Sequence, residues 1–121
     1  MSKKILCVDD SSTIRKLVEF SLKSRGYIVM TAEDGQNALE LLAGSHFDSI
    51  ILDINMPRLD GFEFLKRIKA NDAYTSIPVI MLTTEGQEED RKAAMALGAF
   101  DYIVKPFKPS ELIGLIDRLF E

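Results

Sequence analysis

The sequence predicts an α/β fold in which a five-stranded parallel sheet is covered by helices on both faces. Short apolar segments rich in Ile and Val recur five times along the 121 residues, and the segments between them carry apolar residues at helical spacing. Near-continuous apolar strands are typical of parallel sheets with both faces buried. We therefore expect one three-layer domain that spans residues 1–121.

The first half of the chain predicts three strands, each followed by a helix. The apolar runs that predict the strands lie at residues 5–8, 27–30 and 50–52. After each run, apolar residues recur along one face of a helix. These residues are Ile14, Leu17, Val18 and Leu22, then Ala38, Leu39, Leu41 and Leu42, then Phe62, Phe64, Leu65 and Ile68.

The second half continues the alternation, with strands predicted at residues 79–82 and 102–104. An acidic segment at residues 85–90 suits the positive end of a fourth helix, and Pro109 suits the first turn of a fifth. Three glycines follow helical patterns, where a residue of left-handed conformation commonly ends a helix. They are Gly26, Gly44 and Gly98.

Composition excludes several classes of function. The 15 Lys and Arg residues against 19 Asp and Glu residues give a net charge of −4, and no stripe of cations suggests a nucleic-acid surface. No apolar run approaches the roughly 20 residues of a membrane span, and the first apolar run is too short for a signal peptide. We expect a cytoplasmic protein. Cys7 is the single cysteine, so an internal disulfide is excluded.

Polar residues follow the predicted strands at the sheet edge where ligands bind in parallel α/β folds. They are Asp9 and Asp10 after the first strand, Asp53 after the third, Thr83 after the fourth and Lys105 after the fifth. Three carboxylates in one cleft repel one another, so either one stays protonated or a hard divalent cation lies among them. Mg²⁺ is the natural candidate for this cation. A carboxylate beside a metal ion and an ammonium group can accept a phosphoryl group.

The chain resembles the receiver domain of two-component response regulators, most closely the stand-alone, CheY-like chemotaxis type. The resemblance rests on VDDSSTIRK at 8–16, LDINMPRLDG at 52–61, LTT at 82–84 and YIVKPF at 102–107. It implies a flavodoxin-like sandwich with strand order 2-1-3-4-5 and five helices.

The resemblance also implies a role for each site residue. Asp53 would accept phosphate from a histidine kinase, and Thr83 and Lys105 would contact the phosphoryl oxygens. Tyr102 would move inward together with Thr83. The remaining implied roles are Mg²⁺ binding by Asp9, Asp10, Asp53 and the carbonyl of Asn55, control of dephosphorylation by Asn55 and Glu85, and a cis bond before Pro106.

The implied partners are a CheA-like sensor kinase and a downstream target such as a flagellar motor switch component, with a dedicated phosphatase left open. We expect a monomer without a turnover substrate. We expect no output domain after Glu121. This expectation favours a diffusible messenger, and a phosphorelay intermediate is the alternative.

Two other classes of protein fit less well. Phosphatases of the haloacid dehalogenase type carry a second Asp two residues after the nucleophile, whereas this chain has Asn55 there. A flavin mononucleotide carrier could use the hydroxyl-rich turn at 11–13, but Asp9 and Asp10 would repel the phosphate. The cations of the first helix, Arg15, Lys16, Lys23 and Arg25, are interpreted as a solvated face, with kinase docking as the alternative.

Overall fold

The computed structural model of the chain describes residues 2–56, 60–84 and 88–121. Strands and helices alternate in these residues as the sequence predicts. The elements are β1 (Lys4–Val8), α1 (Ser12–Lys23), β2 (Ile28–Ala32), α2 (Gly35–Gly44), β3 (Ser49–Asp53), α3 (Gly61–Ala70), β4 (Val79–Thr84), α4 (Glu88–Ala96), β5 (Asp101–Lys105) and α5 (Pro109–Leu119).

The five strands form one parallel sheet in the order β2-β1-β3-β4-β5, which confirms the predicted topology. In this order β2 lies on one side of β1, and β3, β4 and β5 lie on the other side. The ends of β1 and β3 therefore flank the point where the strand order reverses, which is where such sheets bind ligands. Val8 pairs with Leu52, so that Asp9 and Asp53 follow at the same level of the sheet.

The core lies in two layers because successive strand side chains point to opposite faces of the sheet. One layer joins Leu6, Val8, Ile50, Leu52, Val79 and Met81 to residues of α2, α3 and α4. The other joins Ile5, Cys7, Ile51, Ile80, Leu82 and Ile103 to residues of α1 and α5. All twelve of these side chains are buried, which explains the near-continuous apolar runs in the sequence.

The predicted helix ends are mostly confirmed. Gly26 and Gly98 have φ values of 88° and 99°, and α5 begins at Pro109. The prediction for Gly44 is wrong, since it is the last residue of α2 and the chain leaves the helix through Ser45 in an extended conformation, with φ −150°. A left-handed residue is not needed where the chain continues directly into an extended segment.

Among the residues that the structure describes, no helix combines the length and the apolar character needed to cross a membrane.

Candidate metal centre

Three carboxylates meet at the carboxyl edge of the sheet. Asp9 and Asp10 follow β1 and Asp53 ends β3, and one carboxylate oxygen from each lies within 4.8 Å of those of the other two. Asp9 and Asp53 are 0% and 3% exposed, whereas Asp10 is exposed. The predicted acid cluster is thus formed by two buried carboxylates and one at the surface.

Lys105 brings a positive charge between the two buried acids. Its Nζ lies 2.8 Å from Oδ2 of Asp9 and 3.2 Å from Oδ1 of Asp53. Burial disfavours the ammonium ion, but the two carboxylates outweigh this effect and raise the pKa of Lys105. The peptide bond between Lys105 and Pro106 is cis.

The surroundings of Asp53 raise the pKa of its carboxyl group. Burial raises its pKa, the Asp9 carboxylate raises it further, and Lys105 and the backbone N–H of Asn55 oppose them, which leaves a pKa of about 6. A cation bound beside Asp53 would favour its ionised form further.

The donor set fits a hard divalent cation. Oδ2 of Asp9 is buried, and within the part of the chain that the structure describes it accepts no well-aligned hydrogen bond, although Nζ of Lys105 lies 2.8 Å away as an ion pair. A buried carboxylate oxygen of this kind keeps a lone pair for a metal ion. Asn55 lies beside the acids, with its backbone N–H donating to Oδ1 of Asp53 at 3.3 Å. Oxygen donors from these residues suit Mg²⁺.

Asp9 is held by several parts of the fold. Its N–H donates to the carbonyl of Ala32 on β2, and its Oδ1 accepts from the N–H of Ser11 at 2.8 Å. Arg15 donates from Nη1 to the Asp9 carbonyl at 2.7 Å. The interpretation of Arg15 as part of a solvated face is therefore wrong: its side chain turns toward the metal centre, whereas Lys16 stays exposed.

Gly61 allows α3 to start directly against the end of β3. A Cβ atom at Gly61 would stand 2.6 Å from Cα of Ile54 and would also overlap the carbonyl oxygen of Asp53. The Gly61 N–H donates to the Ile54 carbonyl at 2.8 Å, and Asp60 caps the helix by accepting from the N–H of Glu63. This role of Gly61 was not predicted from the sequence, although a glycine directly after an Asp cap is a signal for it.

Thr83 and Tyr102 lie on one face of the sheet, opposite to the face of Lys105. Thr83 is 3% exposed, and it is two positions from Tyr102 in the pairing of β4 with β5. Tyr102 is half-buried and packs against the core layer that includes α4. Arg91 of α4 lies over its ring, with the guanidinium carbon 4.7 Å from the ring centroid, and pairs with Glu88 at 3.0 Å.

The predicted site residues thus fall into two groups. The structure brings together Asp9, Asp10, Asp53, Asn55 and Lys105 at one end of the sheet, with Thr83 on β4 between this group and Tyr102. Glu85, to which we assigned a role in dephosphorylation, lies outside the described residues.

The chain matches a family model and curated proteins over most of its length. The model of the response regulator receiver domain matches residues 5–117. The chain is 46% identical over 110 residues to "Probable transcriptional regulator ycf27" of Guillardia theta, covering 91% of this chain and 42% of that protein. It is 43% identical over 113 residues to "Protein PilG" of Pseudomonas aeruginosa, covering 93% of this chain and 84% of that protein. The chain spans less than half the length of the ycf27 proteins that it matches.

Solved structures agree with the fold. The chemotaxis response regulator CheY4 of Vibrio cholerae superposes with a TM-score of 0.92 at 42% sequence identity, covering 98% of this chain and 99% of that one. A response regulator from Chloroflexus aurantiacus, described as putative, gives a TM-score of 0.94 at 32% identity. The flavodoxin-like arrangement inferred from the sequence is thus confirmed.

Proposed function

The chain belongs to the family of response regulator receiver domains of two-component systems, and from that premise we propose that residues 1–121 form one switch domain in which Asp53 accepts a phosphoryl group from a sensor histidine kinase. Receiver domains are signalling switches and typically not turnover enzymes. The observation that carries the proposal is the position of the buried Asp53 carboxylate, beside Asp9 and Asp10 and in contact with the Lys105 ammonium.

The proposed step is a direct transfer. An ionised oxygen of Asp53 forms a bond to phosphorus while the bond between phosphorus and the kinase imidazole breaks. The electron pair of that bond stays with the imidazole nitrogen, which takes up a proton from water. Asp53 must be deprotonated for this attack, and its pKa of about 6 allows this at neutral pH.

Asp9, Asp10 and Asp53, with the backbone carbonyl of Asn55, are the residues that would hold Mg²⁺. When bound, this ion would supply positive charge to the transferred phosphoryl oxygens. Lys105 already carries a positive charge 3.2 Å from Asp53, so its ammonium can move from the carboxylate to a phosphoryl oxygen over a short distance. Thr83 would donate its hydroxyl hydrogen to a further oxygen.

The arrangement of Thr83 and Tyr102 supports a switch. A phosphoryl group adds about −1.5 to −2 charge and new acceptor oxygens at the strand ends, which would draw the Thr83 hydroxyl toward Asp53. The space that Thr83 vacates lies on the face of the sheet that also holds Tyr102. We propose that the Tyr102 ring fills this space and thereby changes the surface formed by α4, β5 and α5.

The phosphoryl group on Asp53 should be hydrolysed slowly, and the domain should not turn over a substrate. Asn55 is exposed beside Asp53, and its amide lies 3.5 Å from Oγ1 of Thr84, so it can influence the approach of water. Asn55 cannot act as the acid and base that a phosphatase needs at this position. We propose that Asn55 and Glu85 set the rate of hydrolysis.

We propose a chemotaxis-type output, with a CheA-like kinase as donor and a target such as a flagellar motor switch component, all in the cytoplasm. CheY4, a chemotaxis response regulator, matches this chain over nearly the full length of both. The ycf27 proteins support a second candidate, the receiver part of a transcriptional regulator. Proteins retained by the phosphorylated chain, but not by Asp53→Asn, would distinguish a motor or relay component from a transcription partner.

The phosphoacceptor is tested with acetyl phosphate and Mg²⁺, using intact mass as the measurement. We expect one phosphoryl group on the parent protein, which alkali removes, and none on Asp53→Asn or in the presence of a chelator. Asp72→Asn is the matched control, because it makes the same change at an exposed turn residue, and it should label like the parent. Labelling of Asp53→Asn at the parental level would contradict the assignment. Sustained release of phosphate from a simple phosphoester would instead indicate a phosphatase.

A further inference from the structure

We propose that Arg15 is a positioning residue for the metal centre, which holds the peptide group between Asp9 and Asp10 so that both carboxylates face the cluster. This inference rests on the proposed function, since it concerns the metal ion that the three acids would hold. Its basis is the hydrogen bond from Nη1 of Arg15 to the carbonyl oxygen of Asp9, which at 2.7 Å is short for an N–H donor.

The Asp9 carbonyl lies in a gap between elements. β1 ends at Val8 and α1 begins at Ser12, so this carbonyl is outside both the pairing of the strands and the hydrogen bonds of the helix. Arg15 lies in the second turn of α1, where its own N–H donates to the Ser11 carbonyl, so that its side chain extends back from a fixed backbone. The guanidinium thus connects the helix to the end of the strand.

The consequence for Asp10 is larger than for Asp9. The Asp9 side chain has its own restraint, since Oδ1 accepts from the N–H of Ser11. Among the described residues, no hydrogen bond or ion pair holds the carboxylate of Asp10, which is exposed. The position of this carboxylate therefore depends on the orientation of the preceding peptide group, and that group is the one that Arg15 binds.

Charge and positioning predict opposite results for the loss of Arg15. If Arg15 acted only through its charge, its removal would strengthen Mg²⁺ binding, because a cation close to the three acids repels another cation. If Arg15 positions the acids, its removal should weaken binding. Partners of metal ligands typically contribute roughly 10- to 100-fold to metal affinity.

The experiment is a calorimetric Mg²⁺ titration of the full chain at neutral pH and fixed ionic strength. We expect Arg15→Met to bind about tenfold more weakly than the parent. Lys16→Met is the matched control, because it removes the same charge from the next residue, which is exposed. It should bind Mg²⁺ as tightly as the parent or slightly more tightly. Arg15→Gln, whose side chain is too short for the same bond, is measured in parallel and should also bind more weakly.

A second measurement reports the hydrogen bond without any metal. The Asp10 N–H belongs to the same peptide group as the Asp9 carbonyl, so loss of the Arg15 bond should shift the Asp10 amide resonance in metal-free protein, and Lys16→Met should not. Unchanged Mg²⁺ affinity or tighter binding in both Arg15 variants would overturn the inference and leave the proposed function intact. A parent protein that binds no Mg²⁺ would overturn both.

Discussion

At the scale of single residues, two buried acids, Asp9 and Asp53, are in contact with the ammonium of Lys105. Burial and the Asp9 carboxylate raise the pKa of Asp53 to about 6, despite the ammonium of Lys105 at 3.2 Å. Below pH 6 the folded protein therefore binds a proton at Asp53 that the unfolded chain, with a value near 3.8, releases. This difference lowers the free energy of unfolding as pH rises from about 4 to 6.

Asp53→Asn should consequently stabilise the metal-free protein at pH 7.5. The gain is at most a few kcal/mol, since one pKa unit corresponds to about 1.4 kcal/mol, and it should nearly vanish at pH 4. The measurement is urea unfolding in a chelator at both pH values, with Asp72→Asn as the control. Added Mg²⁺ should stabilise the parent far more than Asp53→Asn. A gain that is the same at both pH values would show that removal of charge is not the cause.

At the scale of elements, the start of α3 is fixed against the end of β3. The atoms that a Cβ at Gly61 would meet are backbone atoms of Asp53 and Ile54, which cannot rotate away as a side chain can. Relief of the overlap requires α3 or the end of β3 to shift, and Asp53 is the last residue of β3. This contact links the packing of a helix to the position of Asp53, the proposed phosphoacceptor.

Gly61→Ala and Gly114→Ala should therefore have opposite effects on stability. We expect Gly61→Ala to lower the free energy of unfolding by about 1 to 3 kcal/mol, as overpacking does, and to weaken Mg²⁺ binding. Gly114 lies in the exposed part of α5 with no atom within 4 Å of an added Cβ. Alanine there should raise stability by up to about 1 kcal/mol. Urea unfolding of both variants is the measurement, and a loss at Gly114 equal to that at Gly61 would contradict the steric explanation.

At the scale of the whole molecule, Asp53 and Tyr102 lie on opposite faces of one sheet. Asp53 and Lys105 continue the strand positions of the core layer that packs on α1 and α5. Tyr102 packs with the layer on the other face, under the Arg91 guanidinium. In the proposed switch, a signal from Asp53 would cross between strands through Thr83. The Tyr102 ring is contacted by Arg91 of α4.

The three tyrosines make this coupling measurable. In protein labelled with fluorotyrosine, the ¹⁹F resonance of Tyr102 should move on phosphorylation, while those of Tyr27 and Tyr74 stay in place. Cation-π contacts contribute about 0.5 to 1 kcal/mol at exposed sites, so Arg91→Ala should shift the Tyr102 signal of the unphosphorylated protein part of the way toward its phosphorylated position. An unmoved Tyr102 resonance after complete phosphorylation would exclude the ring as the switch element.

The sequence was sufficient for the sheet and for the acids, because both follow from the order of apolar runs and from the residues that end them. It was not sufficient for the contacts of long side chains, or for Gly61, where the fold requires that no side chain is present. Arg15 and Arg91 look like surface cations in a helical pattern, and only the path of the chain shows what they reach. The prediction of a left-handed conformation at Gly44 was wrong because the sequence did not indicate that the chain continues from α2 directly into an extended segment.

The register of β1 with β3 also determines where insertions and deletions are compatible with the fold. Val8 is paired with Leu52, so a deletion or insertion of one residue inside either strand would turn every later side chain to the opposite face and separate Asp9 from Asp53. A residue added to the exposed turn near Asp72 leaves that pairing unchanged. In related sequences, insertions and deletions should therefore be found in the turns and should be rare within β1 and β3.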